Sequence, residues 1–285
     1  MTVKFVAEVS SNHYRDLQRC LAFVDRAADI GCAAVKFQLF RIDELFAPEV
    51  LDRSAEHRRR KEWELPVSFL APLAARCQEK GIAFACTPFF LEAVEQLLPY
   101  VDFYKIASYE LLWGDLLGAC ARTQRPVVLS TGMATLDEAK LAVATLKSAG
   151  CTDLTVLHCV SSYPAKPSEC NLAAIETLRG ALKCEVGWSD HSVTPAVIYR
   201  AVFGHGASLV EFHLDLEGRG VEYAAGHCWL PDEIRAVIEG IRLGLSAQGD
   251  GHKRPADREV EERQWRADPA DGLRPLQAVR KQWQP

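Results

Sequence analysis

No CxxC pair and no regular cysteine framework occur in this sequence, so neither a disulfide scaffold nor a paired-cysteine motif organises it. Its ten cysteines are scattered, several in apolar runs such as those around Cys32, Cys86 and Cys159. They read as reduced, mostly buried thiols of a cytoplasmic protein. No apolar stretch reaches membrane-spanning length, and the N-terminus lacks the charged-then-apolar layout of a signal peptide. A large excess of one charge is missing as well. The net charge of −5 argues against a general nucleic-acid or membrane-surface binder, yet leaves room for a few cations around an anionic ligand. Also absent is a GxGxxG turn after the first strand, the commonest mark of a doubly wound dinucleotide-binding sheet.

What is present is alternation. The chain has 285 residues, 48% of them hydrophobic, enough for a substantial core. Short β-branched or aromatic runs begin at residues 5, 33, 82, 103, 126, 154, 184 and 209. Between them lie segments of helical period such as 16–30, 67–80, 136–149 and 195–203. Gly31, Gly81, Gly150 and Gly206 fall where helices should end. Eight β-then-α units predict an α/β fold, a (β/α)8 TIM barrel over residues 1–247. The polar segment 248–285, rich in both charges, is expected to be a short extended arm. The connection 40–66 is long and charged, and its "EHRRRKEWE" run reads as a solvated surface in preference to a lid.

In such a barrel the C-terminal ends of the strands carry function. This chain places there Glu8, Asn12 and His13; Lys36 and Gln38; Thr87; Lys105, Ser108 and Glu110; and Ser130 with Thr131. The later strands add His158, Ser161 and Tyr163; then Ser189, Asp190 and His191; then Glu211 and His213. Each has a bland alternative, because lysines snorkel, serines cap helices and core histidines satisfy backbone. Glu8 is the hardest to dismiss, since an unpaired carboxylate within a strand is costly to bury. Two lysines among several hydroxyls suit an anionic substrate. His191 and His213, on adjacent strands, suit a divalent ion such as Mn²⁺, with Mg²⁺ or Co²⁺ as alternatives.

The motifs "AEVSSNH", "VKFQ", "CTPF", "YKIASYE", "LSTGMAT", "LHCVSSYP", "GWSDHS" and "VEFHLD" occur in that order. Together they make the chain resemble the sialic acid (N-acetylneuraminate) synthase family of nonulosonic acid synthases. The resemblance implies condensation of phosphoenolpyruvate with an aldose, N-acetylmannosamine or a related sugar, releasing phosphate. It implies that Lys36, Lys105, Ser108, Ser130 and Ser189 hold phosphoenolpyruvate with Thr87 nearby, and that His191 and His213 are the metal ligands. It gives Glu8 the water or proton, and Gln38, Glu110 and Tyr163 the sugar.

The departures fall on the acceptor side. The family's "GPDH"-like loop reads "EGRGVEYAAGHCWLPDE" here, with Glu222 or His227 as substitutes for its acidic residue; Ser161 stands where an asparagine is common; and the opening motif is "SSNHYRD". The small C-terminal antifreeze-like domain, which carries an arginine to the partner's sugar site, is expected to be missing. A homodimer, if formed, would then lack the family's domain swap. Two other readings stay open: a catalytically silent phosphoenolpyruvate-binding relative, and a class I aldolase using Lys36 or Lys105 as a Schiff base.

Overall fold

A computed structural model describes residues 2–283. Eight parallel strands close into a barrel: β1 Lys4–Glu8, β2 Ala34–Leu39, β3 Ala83–Pro88, β4 Phe103–Ile106, β5 Val127–Ser130, β6 Leu154–Cys159, β7 Glu185–Asp190 and β8 Leu209–Leu214. Each pairs with its successor, and β1 also pairs with β8 to close the ring. A two-residue β9, Cys228–Trp229, pairs with β8 outside this alternation.

The helices form for local reasons. In Leu17–Asp29 the buried residues Cys20, Phe23, Val24 and Ala27 follow one helical face, and Asp16 caps the start by accepting from the Gln18 and Arg19 amides. Leu136–Ser148 opens with a capping box between Thr135 and Glu138. Gly81 ends the helix Leu70–Lys80 at a φ of +70°, which a side chain would resist. Gly187 is needed for a different reason. A Cβ there would run into the Leu209 carbonyl oxygen, so glycine lets β7 and β8 approach.

The chain divides between Arg242 and Leu243, within the last barrel helix Pro231–Ser246. A second compact unit begins at Leu243, and its described residues, 243–283, are largely irregular with short helical turns such as Glu262–Trp265 and Gln277–Arg280. All ten cysteines are unpaired and nine are buried. Among the described residues no helix is long and apolar enough to cross a membrane.

Connection 40–66 folds into short helices, Ile42–Leu45, Pro48–Arg53 and Ala55–Arg59, then a turn over Arg60–Trp63. The expectation of a uniformly solvated arginine run holds for Arg58 and Arg59 but not for Arg60. Arg60 turns inward, its guanidinium carbon 5.5 Å from both the Phe46 and Trp63 ring centres. Those aromatic faces draw a cation that charge counting alone would leave in water.

Candidate active site

Strand register decides which polar side chains meet. Glu8 lies opposite Lys36 on one side and His213 on the other, while Ser189 lies opposite Glu211. Alternation along β2 and β8 puts Gln38 with Lys36, and His213 with Glu211, on the same side of the sheet. The result is a layered polar floor beneath the C-terminal mouth of the barrel.

Four buried charges form that floor. Lys36 Nζ is 2.6 Å from Glu8 Oε2 and 3.9 Å from Glu211 Oε2; Lys105 Nζ is 3.2 Å from Glu211 Oε1. Ser189 Oγ also donates to Glu211 Oε1 at 3.1 Å, and Gln38 Nε2 to Glu8 Oε1 at 2.6 Å. The two lysines differ. Burial lowers both, but Glu211 and Glu8 together reverse this at Lys36, whose pKa rises. Lys105 has Glu211 alone as a close carboxylate and Lys36 as a cationic neighbour, so its pKa falls. Burial raises Glu211, yet the lysines win and hold it at about 2.

A pocket opens above this floor. Besides the four charges it is lined by Gln38, Ser108, Ser130, Tyr163, Ser189, His191, His213 and Glu222 among the expected residues. Ser130 Oγ is buried in this lining with no hydrogen-bond partner from the protein. Thr87, Glu110 and Ser161 are outside the lining. Thr87 Oγ1 instead lies behind Lys36, 3.4 Å from Nζ. The 3-10 turn Ser108–Glu110 presents Ser108 and Tyr109 to the pocket and turns Glu110 away. Ser161 Oγ is buried against Gly132, and His158 is a core residue bonded to the Cys170 carbonyl at 2.9 Å.

Glu211, placed on this face from the sequence with His213 but given no role, lines the pocket. So do Arg60 and Trp63, which were not expected there, and His227, expected only as a stand-in for the loop's acidic residue. Arg60 and Trp63 are brought in by tertiary packing that no local pattern shows.

The histidines are oriented from behind. His191 Nδ1 is 2.6 Å from the Val160 carbonyl oxygen and His213 Nδ1 is 3.0 Å from Glu222 Oε2. With Nδ1 engaged, each ring keeps Nε2 for a ligand, as metal-binding histidines do. Their ring centres are 5.5 Å apart, with Tyr163 packed 4.2 Å from His191. Burial, then the neighbouring His213, lowers His191 to about 3, so it is neutral at working pH. Burial would lower His213 too, but its bonds with Cys228 and Glu222 prevail and raise it to about 10. His191 is thus ready to ligate through Nε2, whereas a divalent cation at His213 would have to displace the proton from its Nε2.

A family model now decides the relationship: the NeuB family model matches residues 23–253. The chain belongs to the NeuB family. Among its relatives, the spore coat polysaccharide biosynthesis protein SpsE of Bacillus subtilis is 30% identical, over 90% of this chain and 72% of that protein. The N,N'-diacetyllegionaminic acid synthase of Legionella pneumophila is 32% identical, over 91% of this chain and 77% of that protein. In three dimensions, N-acetylneuraminic acid (sialic acid) synthetase from Leptospira borgpetersenii superposes with a TM-score of 0.82 at 31% identity. That match covers 92% of this chain and 90% of that one. Two of these three relatives are named as synthases of a sugar acid, legionaminic in one case and sialic in the other.

Glu110 supplies a prediction of its own. Burial raises its carboxyl from 4.5 to about 7, opposed only in part by its backbone hydrogen bond and Lys105. A raised folded-state value means the stability it contributes is complete below about pH 4.5 and is lost as pH climbs through 7. Glu110→Gln should therefore gain up to about 3 kcal/mol on the parent between pH 4.5 and pH 8. Urea denaturation at both pH values measures it; parallel losses in parent and variant would refute the assignment.

Proposed function

We propose that the chain condenses phosphoenolpyruvate with an aldose to give a 2-keto-3-deoxy sugar acid, releasing phosphate. The observation that carries this reading is the pair of buried ammonium groups, Lys36 and Lys105, on a pocket floor beside the unpartnered Ser130 hydroxyl. Glu8 and Glu211 balance the two ammonium groups, so it is their remaining N–H donors and not an excess of positive charge that would meet phosphate and carboxylate oxygens. The relatives' names supply the product class.

In this reading Lys36, Lys105, Ser108, Ser130 and Ser189 hold the phosphate and carboxylate, with Thr87 supporting Lys36. Preorganised charge contributes most of the rate, because the buried lysines need not reorganise as charge shifts. C3 of the enol attacks the aldehyde carbon, water adds at C2, and the tetrahedral carbon expels phosphate. Glu8, bound by Gln38 and Lys36, receives the proton of that water. The sugar lies toward Gln38, Tyr163 and the loop bearing Glu222. His191 and His213 are the expected barrel ligands for a divalent ion, which would supply Lewis-acid polarisation of a carbonyl oxygen.

The test is direct. The 285-residue chain with phosphoenolpyruvate, Mn²⁺ and a panel of N-acetylated and free aldoses should release phosphate with at least one sugar, with the keto-acid product seen by mass spectrometry. No release across the panel from folded, metal-loaded protein would overturn the proposal.

A further inference from the structure

The turn Arg60–Trp63 carries a guanidinium to the pocket rim and leaves it poorly satisfied there. Arg60 and Trp63 both line the pocket. Two aromatic rings hold the cation, Phe46 and Trp63, each with its centre 5.5 Å from the guanidinium carbon. Its Nε is nonetheless buried without a hydrogen-bond partner. Glu56 Oε1 approaches Nη2 only to 3.7 Å, too far for a hydrogen bond, and the Glu56 side chain is 71% exposed. An exposed, loose pair of that kind contributes little.

Charge balance sets Arg60 apart from the other cations of the pocket. Lys36 is paired with Glu8, Lys105 with Glu211, and His213 with Glu222. Among the described residues, Arg60 is the lining cation that no buried carboxylate reaches. The loop after β1 fixes which side of the pocket it serves. Arg15 Nη1 donates to the Lys61 carbonyl at 3.1 Å, inside the Arg60 turn. Ser11, in the same loop, donates to Glu222 Oε1 through its amide at 3.1 Å and its hydroxyl at 2.6 Å. One loop thus braces both the Arg60 turn and Glu222, which puts Arg60 on the sugar side of the pocket and not over the lysine floor. The Ile42 amide fastens the far end of the turn by donating to Glu64 Oε1 at 2.9 Å.

We infer that Arg60 binds an anionic group of the acceptor, a phosphate or a carboxylate at the end of the aldose remote from its aldehyde. A guanidinium offers a fork of N–H donors that two oxygens of such a group fit, and its charge is the one this pocket leaves unbalanced. The phosphoenolpyruvate oxygens meet the lysines on the floor, so the two anions are held apart, one at the floor and one at the rim. The inference deepens the condensation proposed above and rests on it for the acceptor being an aldose. The contact itself is read by binding, without turnover. The competing account, an arginine that only fastens the Phe46 and Trp63 rings together, predicts no preference among ligands.

The probes are mannose and N-acetylmannosamine, each as the neutral sugar, the 6-phosphate and the uronate. Each is titrated by calorimetry into the Mn²⁺-loaded 285-residue chain, without phosphoenolpyruvate so that nothing turns over. At least one anionic form should bind about tenfold or more tightly than its neutral parent, and which form does so separates phosphate from carboxylate. Arg60→Met should abolish that preference, weakening the anionic sugar about 10- to 100-fold. Its affinity for the neutral sugar should barely move, which shows that the variant is folded. Arg60→Lys, a charge without the fork, should keep part of the preference. Arg59→Met, on the exposed surface of the same run, should keep all of it. Equal affinity for neutral and anionic forms in the parent, no binding of any anionic form, or a preference that survives Arg60→Met would each overturn the contact. Phosphate release measured alongside separates the two proposals. An Arg60-dependent preference with no release from phosphoenolpyruvate counts against condensation and leaves the contact standing; release with neutral aldoses alone upholds condensation and overturns the contact.

Discussion

Lys36→Met is expected to destabilise the barrel and to stop turnover together, because one ammonium serves both. Its Nζ is 2.6 Å from Glu8 and 3.4 Å from Thr87, and only about 4% of its side chain is exposed. Removing one member of a buried pair leaves the other as an uncompensated charge, at a cost of about 3–5 kcal/mol. Most of that cost belongs to Glu8, so the double variant Lys36→Met/Glu8→Gln should recover much of the stability. It should not recover activity, since the ligand's anionic groups have still lost a cation. Loss of one preorganised group of this kind lowers the rate about a hundred- to a thousand-fold. Denaturant midpoints of parent, single and double variants, with phosphate release for each, give the cycle. A single variant as stable as the parent, or a double no more stable than the single, would remove Lys36 from its place at the centre of the charge cluster.

How such a cluster was legible in sequence, and where legibility ended, follows from the range of the forces involved. The strands announce themselves through β-branched and aromatic runs, and the glycines at 31, 81, 150 and 206 all adopt positive φ. Given a parallel barrel, alternation alone sends Lys36 and Gln38, or Glu211 and His213, to one side. Loops offer no such period. Glu110 follows Ser108 by two residues, yet a 3-10 turn carries it out of the pocket. Glu222 comes to His213 because Ser11, 211 positions earlier, binds its other oxygen, a contact that only the closed ring creates. Arg60 enters through aromatic faces that connection 40–66 assembles only on folding. The floor was therefore readable from alternation. On the rim the resemblance pointed to Ser108, Tyr163 and Glu222, which line the pocket, while Glu110 turns away and Arg60 was unforeseen.

The "WSDHS" stretch that ends β7 shows what the fold must provide before His191 can act. Asp190 is fully buried and receives hydrogen bonds from Trp188 Nε1 at 3.1 Å, Trp229 Nε1 at 3.0 Å, Ser192 Oγ at 2.7 Å and the amides of Ser192 and Val193. Every partner is a donor, and that environment suits a carboxylate alone. Asp190→Asn is nearly isosteric but must point its NH2 group at one of two pairs. On the Oδ1 side it meets Trp188 Nε1 and the Ser192 amide; on the Oδ2 side, Trp229 Nε1 and the Val193 amide. Either orientation leaves two buried N–H groups facing a donor, at about 1–3 kcal/mol each. A loss of about 2–5 kcal/mol is thus expected, against about 1 kcal/mol for Ser192→Ala, which gives up a single side-chain bond. Because the turn at 190–193 also sets the direction of His191, any Asp190→Asn protein that remains folded should show weakened metal binding with phosphoenolpyruvate affinity largely kept. Thermal melts and separate titrations with Mn²⁺ and phosphoenolpyruvate distinguish the two effects. Equal stability of Asp190→Asn and parent would mean that the carboxylate's charge is not what holds the turn.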